Sequence, residues 1–341
     1  MIGHPEVDAA AKAAVDRFGT GAHGARLVSG TTSLHHQLEQ ALSEFLQAEE
    51  AVLYNSGYVT NVATIAALVG PEDCVIGDEL NHASISDGCR FSGAKFLEFR
   101  HNDIDSLRAA LREADGRRVL VAVDAVYSME GDIADLPRIV DVCRQAGAML
   151  MVDEAHSLGV LGTHGRGVQE HFNLPPDAID VKMGTLSKST ASCGGFIAGR
   201  REIISFLKHH ARGFIFSVAL PAPQVAAALK ALEILQREPE RVERLRQVTQ
   251  RYLSGLRDLG FRLPPTETPI VPILCDSEEQ TLEMARRCRE QGLFVIPILY
   301  PAVPRNAPRI RTNVMATHSD EDIDFALKAL AKVGRDVGVV G

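Results

Sequence analysis

Between residues 50 and 220 the chain alternates short apolar runs with stretches whose apolar residues recur every three to four positions. AEEAVLYNSG, DCVIGD, AKFLEF, RVLVAVDAVYS, AMLMVDEAHS and DVKMGTLS have the length and branched content of buried strands. TNVATIAALVG, DIDSLRAALREA and LPRIVDVCRQAG have helical spacing. Strands alternating with helices predict right-handed crossovers and a mainly parallel sheet covered on both faces. Two long helical patterns follow, PQVAAALKALEILQ and RVERLRQVTQRYLSGLRDLG. Beyond them lie a strand at IVPILC, a helix from Ser277 to Gln291, strands at LFVIPIL and RIRTNVM, and a last helix in SDEDIDFALKALAKVG. Ser277-x-x-Gln280 and Ser319-x-x-Asp322 have the spacing of helix caps. The pattern predicts a large α/β domain over residues 1–220. Linking helices and a small α+β domain are expected over 221–341.

Composition adds mainly exclusions. The 341 residues are 45% hydrophobic and 23% charged, as in an ordinary globular protein. A net charge of -8 opposes binding to nucleic acid, which needs a basic surface. No apolar run predicts a membrane span, and no signal-peptide pattern opens the chain. The six cysteines are scattered without a CxxC pair, so neither a zinc site nor a disulfide framework is expected, and a reducing cytoplasm fits. Cys193, beside Gly194, reads as a small packed residue.

The candidate chemistry starts from LMVDEAHSLG at residues 150–159. DEAH is also a helicase signature, but that chemistry requires an upstream GxxxxGK[ST] phosphate loop, and none is present. Lys188 lies in GTLSKSTASCGG among Thr185, Ser187, Ser189 and Thr190, just before Gly194-Gly195. Small hydroxyls and free amides suit a phosphate, and an amine beside them can form a Schiff base with an aldehyde. Pyridoxal 5'-phosphate carries both groups. A buried carboxylate such as Asp153 could then hold the proton on its pyridine nitrogen. Spacing alone leaves a second reading open, in which Asp153 caps a loop at a strand end. Glu154 reads as a structural ion-pair partner, and His36 as a helix cap.

The motifs, taken in order, resemble the α-oxoamine synthases, a branch of the fold type I pyridoxal-phosphate enzymes. GTGAHGARLVSGTTSLHHQLE (19–39) resembles the family's Gly-rich first segment, with Arg26, Gly30, Thr31, His35 and Glu39 on the pattern. NSGYVTN (55–61), LNHASISDG (80–88), VYSMEGDIADL (126–136) and VDEAHSLGVLGTHGRG (152–167) match in turn. GTLSKSTASCGGFIAG (184–199), FIFSVALP (214–221) and RIRTNVMATHSDEDID (309–324) complete the series.

The resemblance implies a fold type I transferase whose large domain holds a mainly parallel, seven-stranded type of sheet. It implies that Lys188 forms the Schiff base and then removes the α-proton of an amino acid. Asp153 would hold the ring nitrogen, His156 the phenolic oxygen, and His82 would stack on the ring. Ser56, Gly57, Tyr58, Thr185 and Ser187 would bind the phosphate. Ser128 would bond near the ring or the thioester, and Arg311 would hold the substrate carboxylate.

The implied reaction is a decarboxylative Claisen condensation of serine, glycine or alanine with an acyl thioester, delivered on coenzyme A or an acyl carrier protein. A homodimer with a shared site is also implied. Within the family, FRHNDIDSL and the GRDVGVVG ending look most like serine palmitoyltransferase. LVSGT also suits 8-amino-7-oxononanoate synthase, and glycine C-acetyltransferase remains an alternative. More distant alternatives are an aminotransferase and a non-catalytic partner subunit. Two departures stand out. MIGHPEV corresponds to a point just after an upstream turn that relatives carry. Val218 stands where many relatives have a threonine directed at the neighbouring subunit's phosphate.

Overall fold

The computed structural model of the chain describes residues 1–340; the final glycine of GRDVGVVG, Gly341, lies outside them. The chain folds as two compact units, Met1–Ala125 with Ala134–Pro239, and Val126–Ile133 with the residues from Glu240 onward.

Seven strands form the sheet of the first unit: β1 Glu50–Tyr54, β2 Cys74–Asp78, β3 Lys95–Phe99, β4 Val119–Asp124, β5 Met149–Asp153, β6 Val181–Thr185 and β7 Gly195–Gly199. Their order across the sheet is β1-β7-β6-β5-β4-β2-β3. Every neighbouring pair is parallel except the two that involve β7. A parallel sheet is buried on both faces, which accounts for the unbroken apolar runs. One face packs Ile65, Ile85, Ile204, Leu207 and Phe214 from the helices Gly57–Leu68, Ala83–Ser92, Arg201–His210 and Arg212–Ile215. The other packs Leu38, Leu42, Val225 and Leu232 from Ser33–Phe45 and Ala222–Arg237.

The second unit has a three-stranded antiparallel sheet, β8 Ile270–Leu274, β9 Ile296–Ile298 and β10 Arg309–Asn313, in the order β8-β10-β9. Val248, Leu256, Met284, Ile310 and Leu330 form its core with the helices Glu240–Asp258, Glu278–Glu290 and Asp320–Asp336. Both expected caps are present: Ser277 Oγ accepts from Gln280 N at 3.1 Å, and Ser319 and Asp322 cap reciprocally.

Several elements differ from the pattern reading. β7, GFIAG, is not among the strands the pattern predicts; its small residues carry little strand signal, and pairing on both edges makes it a strand. Ala222–Arg237 packs against Pro5–Phe18 through Val7, Ala227, Ala231 and Ile234, so it groups with the first unit. Val126–Ile133 groups with the second because Gly131 O accepts the hydroxyls of Thr266 and Thr268 at 2.8 and 2.7 Å. His35, not His36, completes the cap of Ser33–Phe45. Its Nδ1 accepts from Thr32 N at 3.1 Å, while His36 is exposed. Cys193 is exposed, not packed.

Candidate active site

The carboxyl ends of β4, β5 and β6 converge because their strands are neighbours in register, and the loops beyond them carry the polar residues. Asp153 closes β5 and is 5% exposed. Its Oδ2 accepts from Asn61 Nδ2 at 2.7 Å and its Oδ1 from Ala155 N at 2.9 Å. A buried carboxylate tolerates burial when donors reach both oxygens. Asn61 Nδ2 also meets Ser84 Oγ at 2.9 Å, and Ser84 Oγ lies 2.6 Å from His82 Nδ1. One polar chain therefore runs from Asp153 to His82. His82 is the N-cap of Ala83–Ser92, and its imidazole accepts from Ser84 N at 3.3 Å.

Three residues past Asp153, the loop turns His156 toward Lys188, and Nε2 stands 2.8 Å from Lys188 Nζ. Lys188 lies on the loop between β6 and β7. Ser192 N bonds Leu186 O at 2.8 Å and Leu186 N bonds Gly194 O at 2.9 Å, which closes that loop at its base. Thr185 Oγ1 and Ser187 Oγ are 2.8 Å apart.

The N-terminus of Gly57–Leu68 lies beside Thr185. Ser56 is its N-cap, accepting from Val59 N at 3.2 Å, while the amides of Gly57 and Tyr58 have no acceptor among the described residues. A Cβ on Gly57 would meet Thr185 Oγ1 at 3.1 Å and Thr185 Cβ at 3.2 Å, so glycine permits the close approach. Free amides at a helix start, two hydroxyls and a lysine make a donor set suited to a phosphate with an aldehyde attached. Tyr58 Oη donates to Asp87 Oδ2 at 2.6 Å, which ties this helix to the one capped by His82.

The other two expected site residues lie in the second unit. Arg311 Nε donates to the backbone oxygen of Ser128 at 2.7 Å. The terminal nitrogens of Arg311 have no hydrogen-bond partner among the described residues, and burial pulls its guanidinium below the usual value. Asn61, Ser84 and Asp124 were missed in the sequence. Asn61 falls one helical turn after Gly57 in NSGYVTN, and Asp124 ends β4 with the same Val-Asp step that ends β5, so both had a signal. Ser84 had none.

The sequence profile of the class I and II aminotransferases matches residues 2–330. An 8-amino-7-oxononanoate synthase of Symbiobacterium thermophilum is 46% identical over 338 residues, 98% of this chain and 86% of the relative. A serine palmitoyltransferase of Sphingobacterium spiritivorum is 42% identical over 96% of this chain and 82% of its own length. Among solved structures, the Sphingomonas wittichii serine palmitoyltransferase superposes with a TM-score of 0.97 at 35% identity, covering 99% of this chain and 86% of that one. A serine palmitoyltransferase from S. paucimobilis, solved with a bound pyridoxal phosphate–myriocin aldimine, superposes at 0.96 and 36% identity over 99% and 85%. The chain belongs to the class I and II aminotransferase family and, within it, to the α-oxoamine synthases.

Proposed function

We propose that this chain uses pyridoxal 5'-phosphate to condense serine, glycine or alanine with an acyl thioester, releasing carbon dioxide and the free thiol and leaving an α-amino ketone. The single observation that carries this reading is the 2.8 Å contact of Lys188 Nζ with His156 Nε2, three residues from the buried Asp153. When bound, the cofactor supplies an aldehyde for amines and a protonated pyridine that draws electrons from the α-carbon of an amino acid. Asp153, already oriented by Asn61 and Ala155, holds the proton on the pyridine nitrogen. The Gly57 and Tyr58 amides hold the phosphate with Ser56, Thr185 and Ser187. His156 bonds the phenolic oxygen, His82 serves as the ring's stacking partner, and Lys188 takes the α-proton. Ser128 is a hydrogen-bond partner for the ring or thioester, and Arg311 offers its terminal nitrogens to the substrate carboxylate.

The FRHNDIDSL stretch, which looks most like serine palmitoyltransferase, is held by local contacts. Asp78 accepts there from Asn102 N at 2.9 Å, and Asp103 caps Ile104–Glu113 by accepting from Ser106 N at 2.9 Å. Those contacts shape a turn.

A homodimer is supported by apolar residues left in solvent on the first unit: Leu27, Val28, Phe216 and Val218. An Ala25–Val218 bridge joins the two segments that carry them. Such clustering favours association. A cytoplasmic location is our reading of the six unpaired cysteines; no helix among the described residues is long and apolar enough to cross a membrane.

The decisive experiment supplies glycine, alanine or serine with a panel of acyl thioesters. Carbon dioxide and free thiol are the expected products; amino transfer to a keto acid would overturn the condensation. Borohydride reduction should add the cofactor mass to the peptide holding Lys188. A Lys188→Ala variant labelled at another lysine would remove that assignment.

A further inference from the structure

Two neighbouring strands end alike, Val123-Asp124 on β4 and Val152-Asp153 on β5, and their register sets Asp124 beside Asp153. Both are buried, at 4% and 5% exposure. Their surroundings differ. Asp153 accepts an N–H on each oxygen, from Asn61 and Ala155. Asp124 accepts one, from His82 N to Oδ2 at 3.2 Å, while its Oδ1 is buried without a hydrogen-bond partner among the described residues. Its backbone is also fixed. Asp124 N donates to Asn81 Oδ1 at 3.0 Å, and Asn81 Nδ2 donates to Ala122 O at 2.7 Å.

The charges that act on Asp124 are those of Asp153, its register neighbour on β5, of Asp78 at the end of β2, and of Lys188 beyond β6. Two carboxylates side by side and out of water do not both ionise readily. A proton on Asp153 would have to oppose one of the N–H donors aimed at it. A proton on Asp124 Oδ1 meets no donor. Burial first, and the Asp153 charge second, push the Asp124 carboxyl well above the usual range, against the pull of the His82 amide and Lys188.

We infer that Asp124 carries a proton at neutral pH and is a positioning residue of this site, anchoring the His82 amide while leaving Asp153 as the single negative charge offered to the cofactor. The inference deepens the pyridoxal-phosphate reading and rests on it. The role differs from that of Asp153: Asp124 acts through His82 and through the charge it withholds.

Asparagine has nearly the shape of a protonated aspartate, so Asp124→Asn is the informative variant. Urea denaturation of cofactor-free full chain across pH 6 to 9.5 tests the proton. A carboxyl raised on folding lends stability below its unfolded range and loses it as pH rises through the folded value. Wild type should therefore lose stability relative to Asp124→Asn as pH rises. Equilibrium dialysis with pyridoxal phosphate tests the positioning. Affinity of Asp124→Asn at pH 7 should stay within about threefold of wild type, and wild-type affinity alone should fall roughly tenfold per pH unit once Asp124 ionises. Parallel stability profiles, or an affinity loss of about tenfold in Asp124→Asn at pH 7, would overturn the inference. Should the variant not fold, infrared spectra of a Glu154→Gln protein decide, because Glu154 is itself a buried carboxyl raised to about 7: the carbonyl stretch of a buried protonated carboxyl must still be present at pH 7, and its absence refutes the proton. If wild type binds no pyridoxal phosphate, the cofactor reading fails by itself, while the denaturation and infrared results still judge Asp124.

Discussion

Glu154 follows Asp153 directly, yet it faces away from the site chemistry. Its carboxyl takes the Ser157 hydroxyl and the Val168 amide, the latter at 3.0 Å, so it ties the two ends of the loop that presents His156. It shares a small cavity with Lys182, Arg166 and Gln169. Lys182 Nζ donates to Leu46 O at 2.8 Å. Burial pushes the Glu154 carboxyl from 4.5 up to about 7, against the pull of Ser157, Val168 and Lys182, and pushes Lys182 down to about 8. A raised acid contributes stability that is complete below its unfolded value and lost as pH rises through the folded one. Wild type should therefore lose on the order of 3 kcal/mol relative to Glu154→Gln between pH 4.5 and 8. Urea denaturation at several pH values measures this, and identical slopes for the two proteins would refute it. Glu154 is not the ion-pair partner expected from the sequence: among the described residues its carboxyl is held by a hydroxyl and a backbone amide instead. It tethers the His156 loop and faces Lys182 across the cavity.

At the scale of elements, the Gly-rich segment before Ser33–Phe45 is held by a buried ion pair. Arg26 reaches Glu39 with two bonds, at 2.8 and 3.1 Å, and Glu39 Oε1 also accepts from Leu53 N of β1 at 3.1 Å. Thr31 Oγ1 accepts from Arg26 Nε at 3.0 Å. His35 Nε2 lies 3.0 Å from Leu220 O, and burial pulls this imidazole down to about 4, so it is neutral at pH 7. The pattern residues Arg26, Thr31, His35 and Glu39 thus serve as a clamp on the sheet edge. Arg26→Ala leaves a buried carboxylate without its cation and should cost about 3–5 kcal/mol in urea denaturation. A loss below about 1 kcal/mol would mean that the pair does not hold the segment.

At the scale of the whole molecule, the apolar group of Leu27, Val28, Phe216 and Val218 bears on assembly. Its exposure runs from 55% to 83%, unusual for a clustered set in a protein that acts alone. Phe216→Glu places a charge within it and should shift the protein toward monomer in light scattering. An unchanged mass would show that this apolar group is not an association surface. Val218 contributes its backbone oxygen to Asn55 Nδ2 at 2.6 Å, so the segment is fixed through its main chain whatever side chain stands there.

Six of the seven large-sheet strands were legible, because burial on both faces writes a continuous apolar run into the chain. The motif around Lys188 suggested a phosphate and an aldehyde from its residue types, whereas the roles expected of Asp153, His82 and His156 came from the family resemblance. β7 was not legible, since glycine and alanine become a strand only when partners pair on both sides. Nor was Asn61 as the donor that orients Asp153, a contact across 92 residues of sequence. Local pattern was thus enough for the α/β alternation and for the residue types the chemistry requires. It was not enough to show that β4 and β5 stand in register and bring Asp124 beside Asp153. That pairing is a property of strand order, which arises only when the chain packs and which the periodicity of apolar residues does not encode.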